Sequence, residues 1–216
     1  MTPSATYRTL ANHMVDRTGV VADGSRRTAI LAAAKAEFGA HGYSGARVER
    51  IASTASVNKQ LLFHYFDSKD GLYIAAVSAL LADFPQPTPP GLTPSEALRW
   101  MATELVRQVG ASPGLVRVLA DRTRGTVTPG TASHQISEWL SETAQSLCAI
   151  VLDGQKTGFF RDDLSPQDVA NTVIATAIGV SLLDRHDASG PGSETGDTSS
   201  FATILGQMAA DYCAWR

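Results

Sequence analysis

Residues Arg47 to Lys69 read RVERIASTASVNKQLLFHYFDSK. Apolar residues recur there at helical spacing in two short runs, Val48, Ile51 and Ala52 in the first and Leu62 and Phe66 in the second, with Ala55, Ser56 and Val57 between them. The pattern predicts a helix from about Arg47 to Thr54, a turn, and a second helix from about Asn58 to Tyr65. Two short helices joined by such a turn are the helix-turn-helix arrangement, in which the first braces the second and the second enters the major groove. Val48, Ile51, Ala52, Val57 and Leu62 supply a small apolar junction, and Ala52 and Ala55 let the helices approach closely. The opposite face of the second helix carries Asn58, Lys59, Gln60 and His64, long or forked side chains able to reach base edges and phosphates. An ordinary helical hairpin with a solvated polar face has the same pattern, so periodicity alone leaves both readings open.

Working outward, Ile30, Leu31, Ala34 and Phe38 predict a preceding helix, with Ser25 as its cap and Gly42 after its end. Residues 1–24 are polar, carry Pro3, Gly19 and Gly24, and read as a flexible N-terminal extension. On the other side, Asp67, Ser68 and Lys69 restart the chain into a helix through Leu72, Ala76, Leu80 and Phe84, which the proline-rich run from Pro85 to Gly91 stops. Thr93-Pro94-Ser95-Glu96 is a capping box that opens a helix to about Val109, and Ser112-Pro113 opens a shorter one to about Arg122. A long helix is expected from about Thr131 to Thr157, another from the Ser165-Pro166 cap to about Asp184, a mobile loop over Ala188 to Ser199, and a last helix from about Ser200 to Trp215. No segment alternates long enough to be a strand. The expected fold is all-α: an extension over 1–24, a three-helix head over 25–72 with the candidate helix-turn-helix, and a larger helical body over 73–216.

Charge separates head from body. The 216 residues carry a net charge of −3, yet residues 1–72 hold nine Lys and Arg against six Asp and Glu, while residues 73–216 hold nine against fifteen. A basic head on an acidic body suits a head that meets an anion. With 44% hydrophobic and 18% charged residues the composition is that of a soluble globular protein. The longest mostly apolar stretch, Thr172 to Leu183, is too short for a membrane span, and the N-terminus lacks the pattern of a secretory signal. Two cysteines, Cys148 and Cys213, build neither a disulfide scaffold nor a zinc ribbon, which points to a reducing cytoplasm. Gly42 to Ala46 misses the G-x-S-x-G elbow, no phosphate loop or dinucleotide glycine pattern occurs, and His134 and Glu138 have too few companions for a metal. No enzyme activity, cofactor or metal is expected.

The residues also carry a family likeness. Ala40-His41-Gly42-Tyr43, Val48-Glu49-Arg50-Ile51-Ala52, Val57-Asn58-Lys59, Leu62-Phe63-His64-Tyr65-Phe66 and Ser68-Lys69-Asp70-Gly71-Leu72 resemble the N-terminal DNA-binding domain of TetR-family transcriptional regulators, over about Arg26 to Leu81. Past Pro85 the likeness rests on Asp153 to Arg161, which looks like the family's connection between its seventh and eighth helices. The resemblance implies an all-helical homodimer that binds double-stranded operator DNA and is released by a small-molecule effector. It places Arg47, Asn58, Lys59 and His64 where family members touch DNA, and Lys69 where a lysine commonly reaches a phosphate. Two departures stand out. Phe63 replaces a usual tyrosine, whose hydroxyl Tyr65 partly restores, and Ala46 replaces a usual threonine cap, which makes Ser44 the candidate substitute. Gln60 joins the DNA-facing set from the pattern, and Arg26 and Arg27 join as phosphate contacts beside the first helix, with Arg8 and Arg17 as an arm or a solvated tail.

In the body, Trp100, Met101, Leu105, Leu119, Trp139 and Leu147 are the candidate lining for a largely apolar effector, although large apolar residues at this spacing also make plain core. The last two helices present Ala175, Ala177 and Gly179 against Leu205, Met208 and Tyr212, the candidate dimer interface. The competing functions are a DNA-binding adaptor whose body holds a protein, and a helical cytoplasmic enzyme or carrier with an incidental basic head.

Overall fold

A computed structural model describes residues 6–82, 88–125, 128–187 and 198–214. The described residues form the helices α1 (Thr6–Gly45), α2 (Val48–Thr54), α3 (Lys59–Phe66), α4 (Lys69–Leu81), α5 (Pro94–Ala111), α6 (Pro113–Thr123), α7 (Gly130–Lys156), α8 (Pro166–Asp187) and α9 (Thr198–Cys213). No strand forms among them; one isolated antiparallel bridge joins Phe160 to Ala214. The all-α expectation holds.

Most helix starts follow the local chemistry read from the sequence. Thr93 and Glu96 complete a reciprocal capping box with Pro94 behind it, Asn58 accepts from the Leu61 N–H at 2.7 Å, and Ser68 accepts from the Gly71 N–H at 3.0 Å. Ser112 accepts from the Leu115 N–H at 3.4 Å, ahead of the proline that opens α6.

Two expectations fail. Ser25 does not cap the first helix, because α1 runs from Thr6 straight through the segment read as an extension. Gly19 and Gly24 each weaken a helix by roughly 1 kcal/mol, which is too little to stop one already nucleated by its neighbours. Ser44 does not cap α2. The N-cap there is Arg47 with no side-chain bond, and the Arg47 N–H instead donates to Glu37 Oε1 at 2.9 Å from α1. Phe84 and Trp215, expected near the ends of the fourth and last helices, lie outside the described residues together with most of the loop expected over Ala188 to Ser199.

The core is continuous from head to body. Ile30, Phe38, Ile51, Leu62 and Leu72 are buried in the head, and they join Tyr73, Leu98, Leu115, Ile136, Leu147 and Phe160 of the body in one cluster. Head and body meet where α1 crosses α6. A Cβ on Gly39 would lie 2.9 Å from the Gly114 Cα, so only a glycine lets the two backbones touch. Just beyond, Gly42 leaves helical geometry at φ 67° and ψ 178°, turning the chain toward α2 against the side chains of Arg117 and Asp121. Within the body α9 packs most extensively on α5, and α8 on α7.

Candidate nucleic-acid interface

The helix-turn-helix is held from behind by one carboxylate. Glu37 of α1, only 10% exposed, accepts from Arg50 Nε at 2.9 Å and Nη2 at 2.5 Å as well as from the Arg47 N–H. Burial pushes its carboxyl upward, but the Arg50 guanidinium and the Arg47 N–H outweigh burial and hold it below the usual carboxylate range. Arg50 also donates to the Gly45 carbonyl at 3.2 Å, so α1, its exit and α2 are fixed as a unit. The turn follows from backbone geometry: Ser56 takes φ 55°, and the Val57 N–H returns to the Ala52 carbonyl at 3.0 Å. Leu62 and Phe66 then bury one face of α3 and leave the other outward.

On that outward face Gln60 and His64 are exposed, and Lys59 at the first position of α3 and Arg47 at the start of α2 are exposed as well. Lys59 is held: its Nζ lies 2.6 Å from Glu49 Oε1 on α2 and 5.6 Å from the Phe63 ring centroid. Asn58 is exposed, but its side-chain oxygen is committed to the α3 cap, which leaves its amide hydrogens to donate. Tyr65 is half-buried with its ring 5.6 Å from that of His64, and Phe63 is half-buried. Arg26 and Arg27 are exposed on α1, and the Arg27 guanidinium lies 5.3 Å from the Phe66 ring centroid. Lys69 Nζ sits 4.9 Å from the Tyr43 ring centroid, and the Tyr43 hydroxyl donates to the Asp70 carboxylate. That hydrogen bond and then burial raise the Tyr43 pKa. Of the nine residues expected at DNA, Arg26 and Arg27 lie on α1, Lys59, Gln60, His64 and Tyr65 on α3 and Lys69 on α4, with Arg47 and Asn58 at the N-caps of α2 and α3. Sequence reasoning missed Glu37 and Glu49, whose partners lie ten or more residues away. A carboxylate on a polar face carries no periodic signal.

In the body, Met101, Leu105, Leu119, Trp139 and Leu147 are buried in the core and Trp100 is half-buried against it. A cavity of about 620 Å³ lies elsewhere, between α8 and α9, and none of those six lines it. Its walls include Val169, Val173, Val180, Ile204, Leu205 and Met208. Of the residues expected at a dimer interface, Met208 and Tyr212 are 63% and 62% exposed, Ala175 is exposed, Leu205 is half-buried, and a Cβ on Gly179 would meet open space. Ala177 turns inward and is fully buried in its own chain, where it packs the bundle. Ile204, 53% exposed one turn before Met208, completes the apolar stripe.

Residues 30–76 match the family described as bacterial regulatory proteins, tetR family, and residues 94–184 the family described as tetracyclin repressor-like, C-terminal domain. The HTH-type transcriptional repressor SCO4008 of Streptomyces coelicolor is 31% identical over 148 residues, covering 68% of this chain and 74% of that protein. The HTH-type transcriptional repressor NicS of Pseudomonas putida is 30% identical over 154 residues, covering 68% and 73%. The crystal structure of the transcriptional regulator FadR from Bacillus subtilis in complex with stearoyl-CoA superposes with a TM-score of 0.69 over 85% of this chain and 97% of that one, at 16% identity, which speaks to the fold.

Proposed function

This chain belongs to the tetR family of bacterial regulatory proteins, and we propose that it is a DNA-binding transcriptional repressor released from its operator by a small, largely apolar molecule. The observation that carries the reading is the exposed surface of α3: Gln60 and His64 on its outward face and Lys59 at its N-terminus stand exposed on a helix whose other face is locked into the head. Residues 25–72 form the DNA-binding head and residues 73–216 the body, with α4 passing between them.

One recognition helix reads too few base pairs to find a selective site, so the working unit is a homodimer. The exposed stripe of Ile204, Met208 and Tyr212, together with Ala175 and Gly179 on α8, is the surface that pairs. Effector binding draws on the apolar interior around Trp100, Met101, Leu105, Leu119, Trp139 and Leu147. In the packing seen here those side chains fill the space between α5, α6 and α7, so an effector must favour a state in which they part. It lowers DNA affinity only by its preference for that state. The family's cytoplasmic setting fits the composition, and no described helix is long and apolar enough to cross a membrane.

A gel shift with duplexes from the DNA flanking its own gene tests the regulator reading. Shifted bands that a scrambled duplex fails to compete support it, and equal competition overturns it. Apolar candidate effectors that raise the melting temperature and also release the duplex support the body's role. The adaptor reading gains if released DNA is seen only with a protein partner.

A further inference from the structure

With α3 read as the recognition helix, Glu49 acquires a role that the DNA-facing set does not include. Glu49 of α2 and Lys59 of α3 stand 2.6 Å apart across the turn, with 67% and 51% of their side chains exposed. Lys59 is the first residue of α3, and the N-terminal residues of a recognition helix are those that meet base edges. The Phe63 ring beneath the ammonium and the Asn58 cap beside it fix where that charge sits. An ion pair this exposed adds little stability, so folding does not account for its placement. Its effect on DNA is larger. The carboxylate offsets the charge that random DNA would attract, and it repels phosphates that approach from the wrong register.

At a base edge the pair presents donors beside an acceptor. Along the major groove a guanine·cytosine pair offers two acceptors, N7 and O6, and then the N4 amino donor, whereas adenine·thymine alternates acceptor, donor, acceptor. The Lys59 ammonium has three N–H groups, of which one goes to Glu49, leaving two for guanine N7 and O6. The second oxygen of Glu49 is then left to accept from the cytosine amino group. The hydrogen bond from Lys59 keeps the Glu49 carboxyl below its usual range, so it acts only as an acceptor at neutral pH. We propose that Glu49 and Lys59 act as one donor and acceptor unit that reads a single guanine·cytosine pair, which makes Glu49 a specificity-determining residue of the head. The inference rests on the regulator reading above.

The test uses the full chain as wild type, Glu49→Gln, Lys59→Gln and the double variant. Each selects binding sites from a pool of random duplexes, and the best site and a scrambled duplex are then titrated at several salt concentrations. The wild-type sites are expected to hold a fixed guanine·cytosine pair whose replacement by adenine·thymine weakens wild-type binding about tenfold or more. Glu49→Gln should lose most of that discrimination, bind the scrambled duplex more tightly, and steepen the log-log salt slope by up to about one unit. The double variant should match Lys59→Gln, because members of one unit do not add. An unchanged selected sequence with an unchanged salt slope for Glu49→Gln overturns the proposal, as do independent, additive effects of the two substitutions. A wild type that selects no sequence at all sinks the regulator reading beneath it, a distinct result. Matching circular dichroism melts confirm that each variant is folded, as expected for exposed side chains.

Discussion

The outer face of the head and the junction between α1, α4 and α6 use the same kinds of polar residue in opposite settings. On the outer face, Lys59 and Glu49 pair in water and His64 is exposed. At the junction, Asp121 is 3% exposed and pairs with Arg117 at 3.0 Å beside the Gly42 turn, while Tyr73 is 1% exposed and its hydroxyl finds no hydrogen-bond partner among the described residues. Burial and then the charge of Asp121 push the Tyr73 phenol up to about 12, so it stays neutral at any working pH. The contrast teaches where each property resides. Surface polar groups are exchangeable without unfolding, which leaves them to recognition, whereas the junction fixes how the head sits on the body.

The largest effect should come from the backbone crossing. Gly39→Val drives a branched side chain into the Gly114 backbone and should destabilise the chain by about 3 kcal/mol or more, read as a drop in urea midpoint. A variant of wild-type stability would mean that α1 and α6 are free to separate, and the contrast with the outer face would break.

Next comes the acid limb. The folded pKa of Glu37 is depressed, so the stability it contributes is present above its unfolded value near 4.5 and is lost as pH falls through the lower folded value. Glu37→Gln should therefore lower stability at neutral pH by roughly 1 to 2 kcal/mol and flatten the loss of stability below about pH 4.5. Parallel stability curves for the two proteins across that range would remove Glu37 from the account.

A smaller effect, of opposite sign, is expected at the junction's unpaired hydroxyl. Tyr73→Phe deletes a buried group with no partner and should leave stability unchanged or raise it by up to about 1 kcal/mol. A loss above that range would reveal a bonded hydroxyl. Finally, Arg47→Ala and Lys69→Ala should barely change the melting temperature while each lowers the salt slope of DNA binding by about one unit on cognate and random duplexes alike. Equal slopes in a folded variant would end the phosphate assignment for that residue.

Much of this was legible from local signals. The capping box at Thr93, the prolines at 94, 113 and 166, and the periodic apolar residues of α2 and α3 each act within a few residues of themselves, so the sequence places them without knowledge of the fold. The recognition helix was visible because Leu62 and Phe66 on one face oblige Gln60 and His64 to the other. The brace at the start of α2 was not visible, because the Arg47 N–H finds its acceptor in Glu37, ten residues back and on another helix. Ala177 and Gly179 illustrate the same limit: both are small residues two positions apart on α8, yet one is fully buried and the other open.

The amino-acid order by itself determined that the chain is helical, where most helices start, and that two short helices joined by a turn carry a polar outer face, since caps, prolines and 3.6-residue periodicity are short-range chemistry. Only the tertiary structure decided that α1 and α6 meet through Gly39 and Gly114, that the cavity opens between α8 and α9 and not at the tryptophans, and that Glu49 reaches Lys59. Those are contacts between segments remote in the chain, and they exist only once the packing of whole helices has chosen which faces touch.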